Sequence, residues 1–320
     1  MLLHSVFVVY GKWRDRNLMA KEILVVGSAA LDSVETIHGK TTDAAGGAAI
    51  HFSMSASLFA PVRIVAVVGE DFPQEIWQLL HNHNVDTSEM ITASGKTFRW
   101  HGRYDKDFKS AQTLSTCLNV FEGFAPVLKD ESKKCSSLFL ANIDPDIQYN
   151  VLKQMEKPQI TACDTMNYWI NLKNASLKKL LKEVDILFIN DEEARLLTGE
   201  HNIITAARQI MRQGPSAIVV KRGDAGSLLA FGDKLLPFPA WAVEKVADPT
   251  GAGDTFGGAF MGCITQAENW RDINALKKAM AYATVISSFN VEDFSVRRVS
   301  SLKKEEIEHR FKIYTDNLRV

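Results

Sequence analysis

This chain has no surplus of either charge: 37 Lys and Arg stand against 38 Asp and Glu, a net charge of −1 over 320 residues. It lacks the basic excess with which nucleic-acid binders neutralise phosphates, so no nucleic acid is expected as a partner. Cysteines are few and scattered. Cys117, Cys135, Cys163 and Cys263 form no CxxC pair and have no nearby histidine pairing. That excludes a metal site or disulfide framework built on them and points to a reducing compartment, the cytoplasm. No apolar run approaches the ~20 residues that a membrane-spanning helix needs, so no membrane is expected either. The apolar start, residues 1–10, has neither the leading positive charges nor the small-residue cleavage site of a signal peptide. Residues 1–18 are expected to be an extension ahead of a start at Met19, with one domain over 19–320.

Several enzyme signatures are also missing. A P-loop needs G-x-x-x-x-G-K-[ST], but Val34 and Met90 stand where Gly39-Lys40-Thr41 and Gly95-Lys96-Thr97 need their first glycine. A dinucleotide site needs G-x-G-x-x-G after the first strand, and Gly27-Ser28-Ala29-Ala30-Leu31-Asp32 does not supply it. No HRD or DFG of a protein kinase occurs. What remains is an ordinary globular composition, 46% hydrophobic and 23% charged, long enough for a substantial core.

One stretch organises the rest: Asp248-Pro249-Thr250-Gly251-Ala252-Gly253-Asp254-Thr255-Phe256, followed by Gly257, Gly258, Ala259 and Phe260. A glycine-rich turn entering a helix gathers backbone N–H groups at the positive end of the helix dipole, a place for a phosphoryl group. A carboxylate there repels a phosphate, yet it is well placed to take a proton from a hydroxyl that attacks one. The residues alone also allow a turn and a close-packed helix with Asp254 as its capping carboxylate.

The motif closely resembles the C-terminal signature of the ribokinase-like (PfkB) family of sugar and nucleoside kinases. The resemblance implies that Asp254 is the catalytic base and that the backbone of Gly251, Ala252 and Gly253 is the anion hole. It also implies a ribokinase-like α/β fold: a doubly wound, mostly parallel sheet with helices on both faces and a small β lid. ATP is the expected co-substrate, with Mg²⁺ and, in many members, K⁺.

The chain in order supports that frame. Residues 21–27 (KEILVVG) and 62–68 are apolar runs of the kind that form buried parallel strands. Asp32 lies just past the first, where open α/β sheets bind ligands; the resemblance gives it the acceptor hydroxyls. Residues 33–45 and 96–116 alternate apolar and polar residues and are expected to form the lid. A lid hairpin exposes edges, so a homodimer through the lid is expected. Gly46 and Gly47 open a small-residue helix and resemble the family's first signature, with His51 where the family has Asn. Together they are expected to bind the acceptor, a sugar or a nucleoside. A phosphosugar would call on Arg99 and Arg103.

From residue 136 strands and helices alternate, with helices expected at 146–156, 171–183, 191–199 and 203–213. Asp164 and Asn167 follow one strand, and the resemblance places acceptor or phosphate contacts there. Asn190 and Glu193 match the family's N-x-x-E motif; Asn190 is expected near ATP and Glu193 to hold Mg²⁺ through water. Capping of a helix start is compatible with both roles, since it is expected to leave Glu193 free. Lys221, Gly223 and Gly226 resemble the nucleotide loop. The helix at 277–289 is fit for one wall of an adenine pocket, and residues 290–296 form the loop that in many members helps bind a monovalent cation. A non-catalytic metabolite-binding protein of this fold is the remaining alternative.

Overall fold

A computed structural model describes residues 21–108 and 110–318; the expected extension at residues 1–18 lies outside them. Thirteen strands occur among the described residues: β1 (Ile23–Val26), β2 (Ala30–Thr36), β3 (Gly39–Gly46), β4 (Val62–Gly69), β5 (Val85–Ala93), β6 (Phe98–Tyr104), β7 (Ala111–Cys117), β8 (Ser137–Leu140), β9 (Ile160–Asp164), β10 (Ile186–Asn190), β11 (Ala217–Lys221), β12 (Ser227–Phe231) and β13 (Lys234–Phe238). Nine of them form one sheet in the order β13-β12-β11-β10-β9-β8-β1-β4-β5. From β5 to β11 every neighbour is parallel, and only β12 and β13 run antiparallel at one edge.

The apolar run of β1 explains why the sheet is covered on both faces. Successive side chains of a strand point to opposite faces. Ile23 and Val25 enter one buried cluster, with Phe52, Phe139 and Phe260, while Leu24 and Val26 enter another, with Leu138, Leu187 and Val220. A strand with no polar face needs helices on both sides, and the sheet has them.

The remaining four strands make a second sheet, β3-β2-β6-β7, in which β2 and β6 are parallel and the outer pairs antiparallel. This is the expected lid. Val34 of its inner face, with Trp100 and Tyr104 packed alongside, meets Ala247 and Phe294 of the main domain. Thr36 Oγ1 donates to the Ala247 carbonyl (2.9 Å) and Arg297 reaches Thr41 Oγ1 (3.2 Å), so the lid is tied down beside the 247–251 turn.

Three strands were not expected, β5, β12 and β13, and one helix is split. Residues expected as a single helix from 171 form Asn167–Leu172 and Asn174–Leu181, with Lys173 between them outside helical geometry at φ −127°. The helix expected at 277–289 is longer, Ile273–Asn290.

Candidate active site

The sheet sends three site residues to one edge because they end its parallel strands. Asp164 closes β9, Asn190 closes β10 and Lys221 closes β11, while the 251–254 turn opens the helix Ala252–Thr265. That helix packs on helix Ala48–Ala56 and thereby faces β1 and β8 through Phe52 and Phe139, whose rings stack at 4.1 Å.

Gly251 is the residue just before the helix and has φ +71°, the left-handed region that side chains strain to enter. A side chain there would also strike the His51 ring, which lies 2.2 Å from the Cβ position. The first N–H groups of a helix have no partner within it. The Ala252 amide is taken by the Pro249 carbonyl (3.2 Å), so the hole expected over Gly251, Ala252 and Gly253 loses that donor. The first-turn amides of Gly253 and Asp254 are the better candidates.

Asp254 is ringed closely by protein, and that desolvation pushes its pKa up to about 7; Asp164 adds to the rise and Lys221 opposes it. Asp32 is buried and is likewise pushed up to about 7, chiefly by burial and further by Asp248 and Asp254, against the pull of the Gly47 amide. That amide donates to Asp32 Oδ2 at 3.3 Å. The Gly46–Gly47 helix start differs from its expected role as a set of open donors. The Gly47 amide serves Asp32, the Ala48 amide serves Ser28 Oγ (3.1 Å) and the Ala49 amide serves the Ser28 carbonyl (3.0 Å). Gly46 instead gives Asp32 room: a Cβ there would sit 2.2 Å from its carboxyl.

On the other side, Lys221 Nζ bonds Asp164 Oδ2 at 2.5 Å and lies 3.1 Å from where a Cβ of Gly253 would be. Burial pulls the Lys221 pKa down, but Asp164 and Glu193 outweigh it, and the ammonium is held above its ordinary value. Asp164 also accepts from the Thr165 amide (2.8 Å). Each of its oxygens thus has one protein partner, and it holds Lys221 in place. Asn167 starts an exposed helix turn.

Glu193 differs from expectation in its cap. Its Oε2 accepts from the Asn190 amide (2.9 Å) while Asn190 Oδ1 accepts from the Glu193 amide (2.7 Å), a reciprocal cap that occupies one carboxylate oxygen. Burial pushes Glu193 up to about 7, with Lys221 opposing and Asp164 adding. Among the described residues no group of three His, Cys, Asp or Glu could hold a metal by itself. Mg²⁺ keeps several of its waters and is bound largely through substrate phosphates, so it does not require such a group. Gly223 and Gly226, at φ +55° and +84°, shape the tight turn after Lys221.

His51 is 2% exposed and neither ring nitrogen has a hydrogen-bond partner. Burial drives its pKa down to about 4, against a smaller upward pull from the Asn290 side chain. It is a neutral imidazole under the Gly251 turn, and it lies on no surface. Arg99 and Arg103, the expected phosphosugar contacts, are paired elsewhere. Arg99 binds Asp71 (2.8 Å) and Asp43 (3.2 Å), and Arg103 binds Glu35 (2.7 Å) on the strand face opposite Asp32 and Val34.

Asp248 and Thr250 belong to the central motif and Asn290 to the 290–296 loop; what the sequence did not show is that they bond one another around the turn. The one signal was a polar Asn closing an apolar helix, ISSFN.

Comparison with known proteins agrees with this architecture. A cytidine kinase of Thermococcus kodakarensis is 28% identical over 246 residues, covering 75% of this chain and 87% of that one. A putative ribokinase II of E. coli, solved with ATP and Mg²⁺, superposes with a TM-score of 0.77 at 17% identity, covering 92% of this chain and 99% of its own. A fructokinase double mutant of Vibrio cholerae O395, solved with fructose, ADP and a potassium ion, gives 0.76 at 18% identity, covering 91% and 99%. The model of the pfkB family of carbohydrate kinases matches residues 8–302. The chain belongs to that family and is an ATP-dependent kinase of a sugar or nucleoside.

Proposed function

We propose that Asp254 is the base that activates the acceptor hydroxyl, and that the acceptor is an uncharged sugar. The observation that carries this reading is the position of Asp254 between two unlike groups, Asp32 and Asp248 on one side and Lys221 on the other. A carboxyl with a pKa near 7 is matched to proton abstraction at neutral pH.

Asp32 would accept hydrogen bonds from vicinal hydroxyls and orient a CH₂OH toward Asp254, with Gly46 and Gly47 keeping the contact close. His51, buried under the Gly251 turn, would support that turn from below and is left out of the acceptor contacts. Asp254 removes the hydroxyl proton, the oxygen forms its bond to the γ-phosphorus, and the bond to the β-γ bridging oxygen breaks to release ADP. The Gly253 and Asp254 amides and the Lys221 ammonium stabilise charge developing on the transferred group. Mg²⁺, when bound, neutralises charge on the nucleotide phosphates; Glu193 and Asn190 would order its water shell, and Gly223 and Gly226 would flank the nucleotide.

An anionic phosphosugar is disfavoured because three carboxyl groups converge on the Asp32 side, while Arg99 and Arg103 are committed to other acids. A nucleoside is the second reading, favoured by the 28% identical relative named as a cytidine kinase; it presents the same CH₂OH and hydroxyls. The reaction would run in the cytoplasm, in keeping with four unpaired cysteines. Edge strand β7 is exposed along almost its whole length, including Leu114, and a second copy pairing there would make the dimer. A monovalent cation at residues 290–296 is not part of this reading.

A screen of ADP release with Mg-ATP against sugars, nucleosides and phosphosugars tests the proposal. Turnover is expected with an uncharged acceptor. Turnover confined to phosphosugars would overturn the assignment.

A further inference from the structure

Gln148, on helix Pro145–Leu152, is completely buried. Its Nε2 donates to the carbonyls of Leu140 (3.1 Å), Ala141 (2.8 Å) and Asp164 (3.0 Å). A carbonyl can only accept, so the amide has one orientation that serves all three.

The place of these carbonyls explains why a polar side chain is buried here. The pairing of β8 with β9 ends at Leu140 and Cys163, so Ala141 and Asp164 lie one residue past it. On its other side Asp164 is still paired with Phe188 of β10. Where β8 and β9 part, their carbonyls leave the ladder, and a buried carbonyl without a donor is costly. The Gln148 amide reaches across the parting and joins the two strand ends. It does so at a cost of its own, since its Oε1 is buried with no hydrogen-bond partner among the described residues. An apolar side chain would avoid that orphan, but it would remove the donor that the three carbonyls share.

Asp164 carries the consequence into the site. Its Oδ2 holds Lys221 Nζ at 2.5 Å, and that ammonium stands 3.1 Å from where a Cβ of Gly253 would be. A single residue therefore lies between the Gln148 amide and the ammonium, held by its carbonyl on one side and by its carboxylate on the other. Resting on the kinase reading above, we propose that Gln148 is a positioning residue. By tying the Asp164 carbonyl to the end of β8, it sets where Lys221 meets the transferred phosphoryl group.

Gln148→Met keeps the length of the side chain and removes both amide atoms. Its kcat should fall roughly 10-fold, since a small displacement of reacting groups costs that much or more. KM for ATP should rise, while KM for the acceptor should stay within about twofold of wild type. The decisive measurement is a double-mutant cycle with Lys221→Met. If Gln148 acts through Lys221, Gln148→Met should slow the Lys221→Met enzyme by less than about twofold, while lowering Tm in both backgrounds. Losses in kcat that multiply, an acceptor KM raised as much as that of ATP, or a single variant as fast as wild type would overturn the proposal. Gln148→Glu, which keeps the length and one oxygen, enters the same cycle with the same expectation should the methionine variant not fold. Should wild type phosphorylate no acceptor, the kinase reading fails, and ATP binding measured by calorimetry across the four proteins still decides the role of Gln148. Gln148→Met should then weaken ATP binding where Lys221 is present and leave it unmoved in the Lys221→Met background; equal weakening in both would overturn the coupling.

Discussion

The two sides of Asp254 are built on opposite electrostatic plans. On the Asp32 side the carboxyls of Asp248 and Asp254 both act on buried Asp32, and burial raises the pKa of all three. On the Lys221 side a buried ammonium is matched by Asp164 and faced by Glu193. Isolated buried charge is costly unless paired. The first side lowers that cost by favouring protonated carboxyls, the second by an ion pair. Under the proposed function, the first side would meet uncharged hydroxyl donors and the second phosphate oxygens.

Removing the group between the two sides should have the largest effect. Asp254→Asn keeps shape and polarity but cannot take a proton, so kcat should fall at least ~10²-fold. Wild-type kcat/KM should rise with pH through about 7, where Asp254 ionises. Stability should move the other way. The folded-state pKa lies above the ordinary value of 3.8, so the folded chain holds the extra proton between those limits. Stability from this group is complete below the lower value and is lost as pH rises through the upper one. The variant has no such titration, so its Tm should exceed wild type at about pH 8 and the gap should close towards about pH 4. Kinetics and melting curves across that range check both signs; turnover near wild type would remove Asp254 from its role.

How much of this was legible in the sequence follows from how each feature is encoded. The buried parallel strands were readable because a run such as ILVV in β1 has no polar face. The edge strands were not. β5 carries VDTSEMITA with mixed exposure, and β13 is read only through its pairing with β12. The break at Lys173 has no Pro or Gly to announce it. Within the candidate site, the placement of Asp254 at a helix start and of Asp32 past the first strand was readable because a glycine-rich turn and a strand end mark them. The roles of Asp164 and Asn290 depend on partners 57 and 40 residues away, Lys221 and Thr250, and a single sequence does not show such pairings. Arg99 and Arg103 were misjudged for the same reason: strand alternation gives a face, and only the assembled sheet shows which acids await them.

The Lys221 side can be broken next. Lys221→Met should raise KM for ATP and lower kcat by roughly 10- to 100-fold, the loss of one charged donor to the transferred group. It also strands Asp164 without its partner, which by itself destabilises the fold. The double variant Lys221→Met with Asp164→Asn separates the two effects. It should melt close to wild type yet stay slow. Recovery of turnover in the double variant would reduce Lys221 to a structural counter-ion.

The smallest effect should come from Glu193, which sharpens the comparison because it shares the Lys221 side but is half committed to a helix cap. Glu193→Gln retains an oxygen for the Asn190 amide, so the helix start should survive. What it loses is a carboxylate able to order water around a metal. The Mg²⁺ concentration for half-maximal rate should rise roughly tenfold, the lower end of the range for partners one shell out from a metal, with acceptor KM unmoved. The pH dependence adds a sign. Burial holds the Glu193 pKa at about 7, so wild type should need more Mg²⁺ as pH falls through neutrality and the carboxylate gains a proton. The variant cannot titrate there, so its Mg²⁺ requirement should stay level over the same interval. Matching Mg²⁺ titrations for the two proteins at about pH 8, where the wild-type group is ionised, would leave Glu193 with its cap alone.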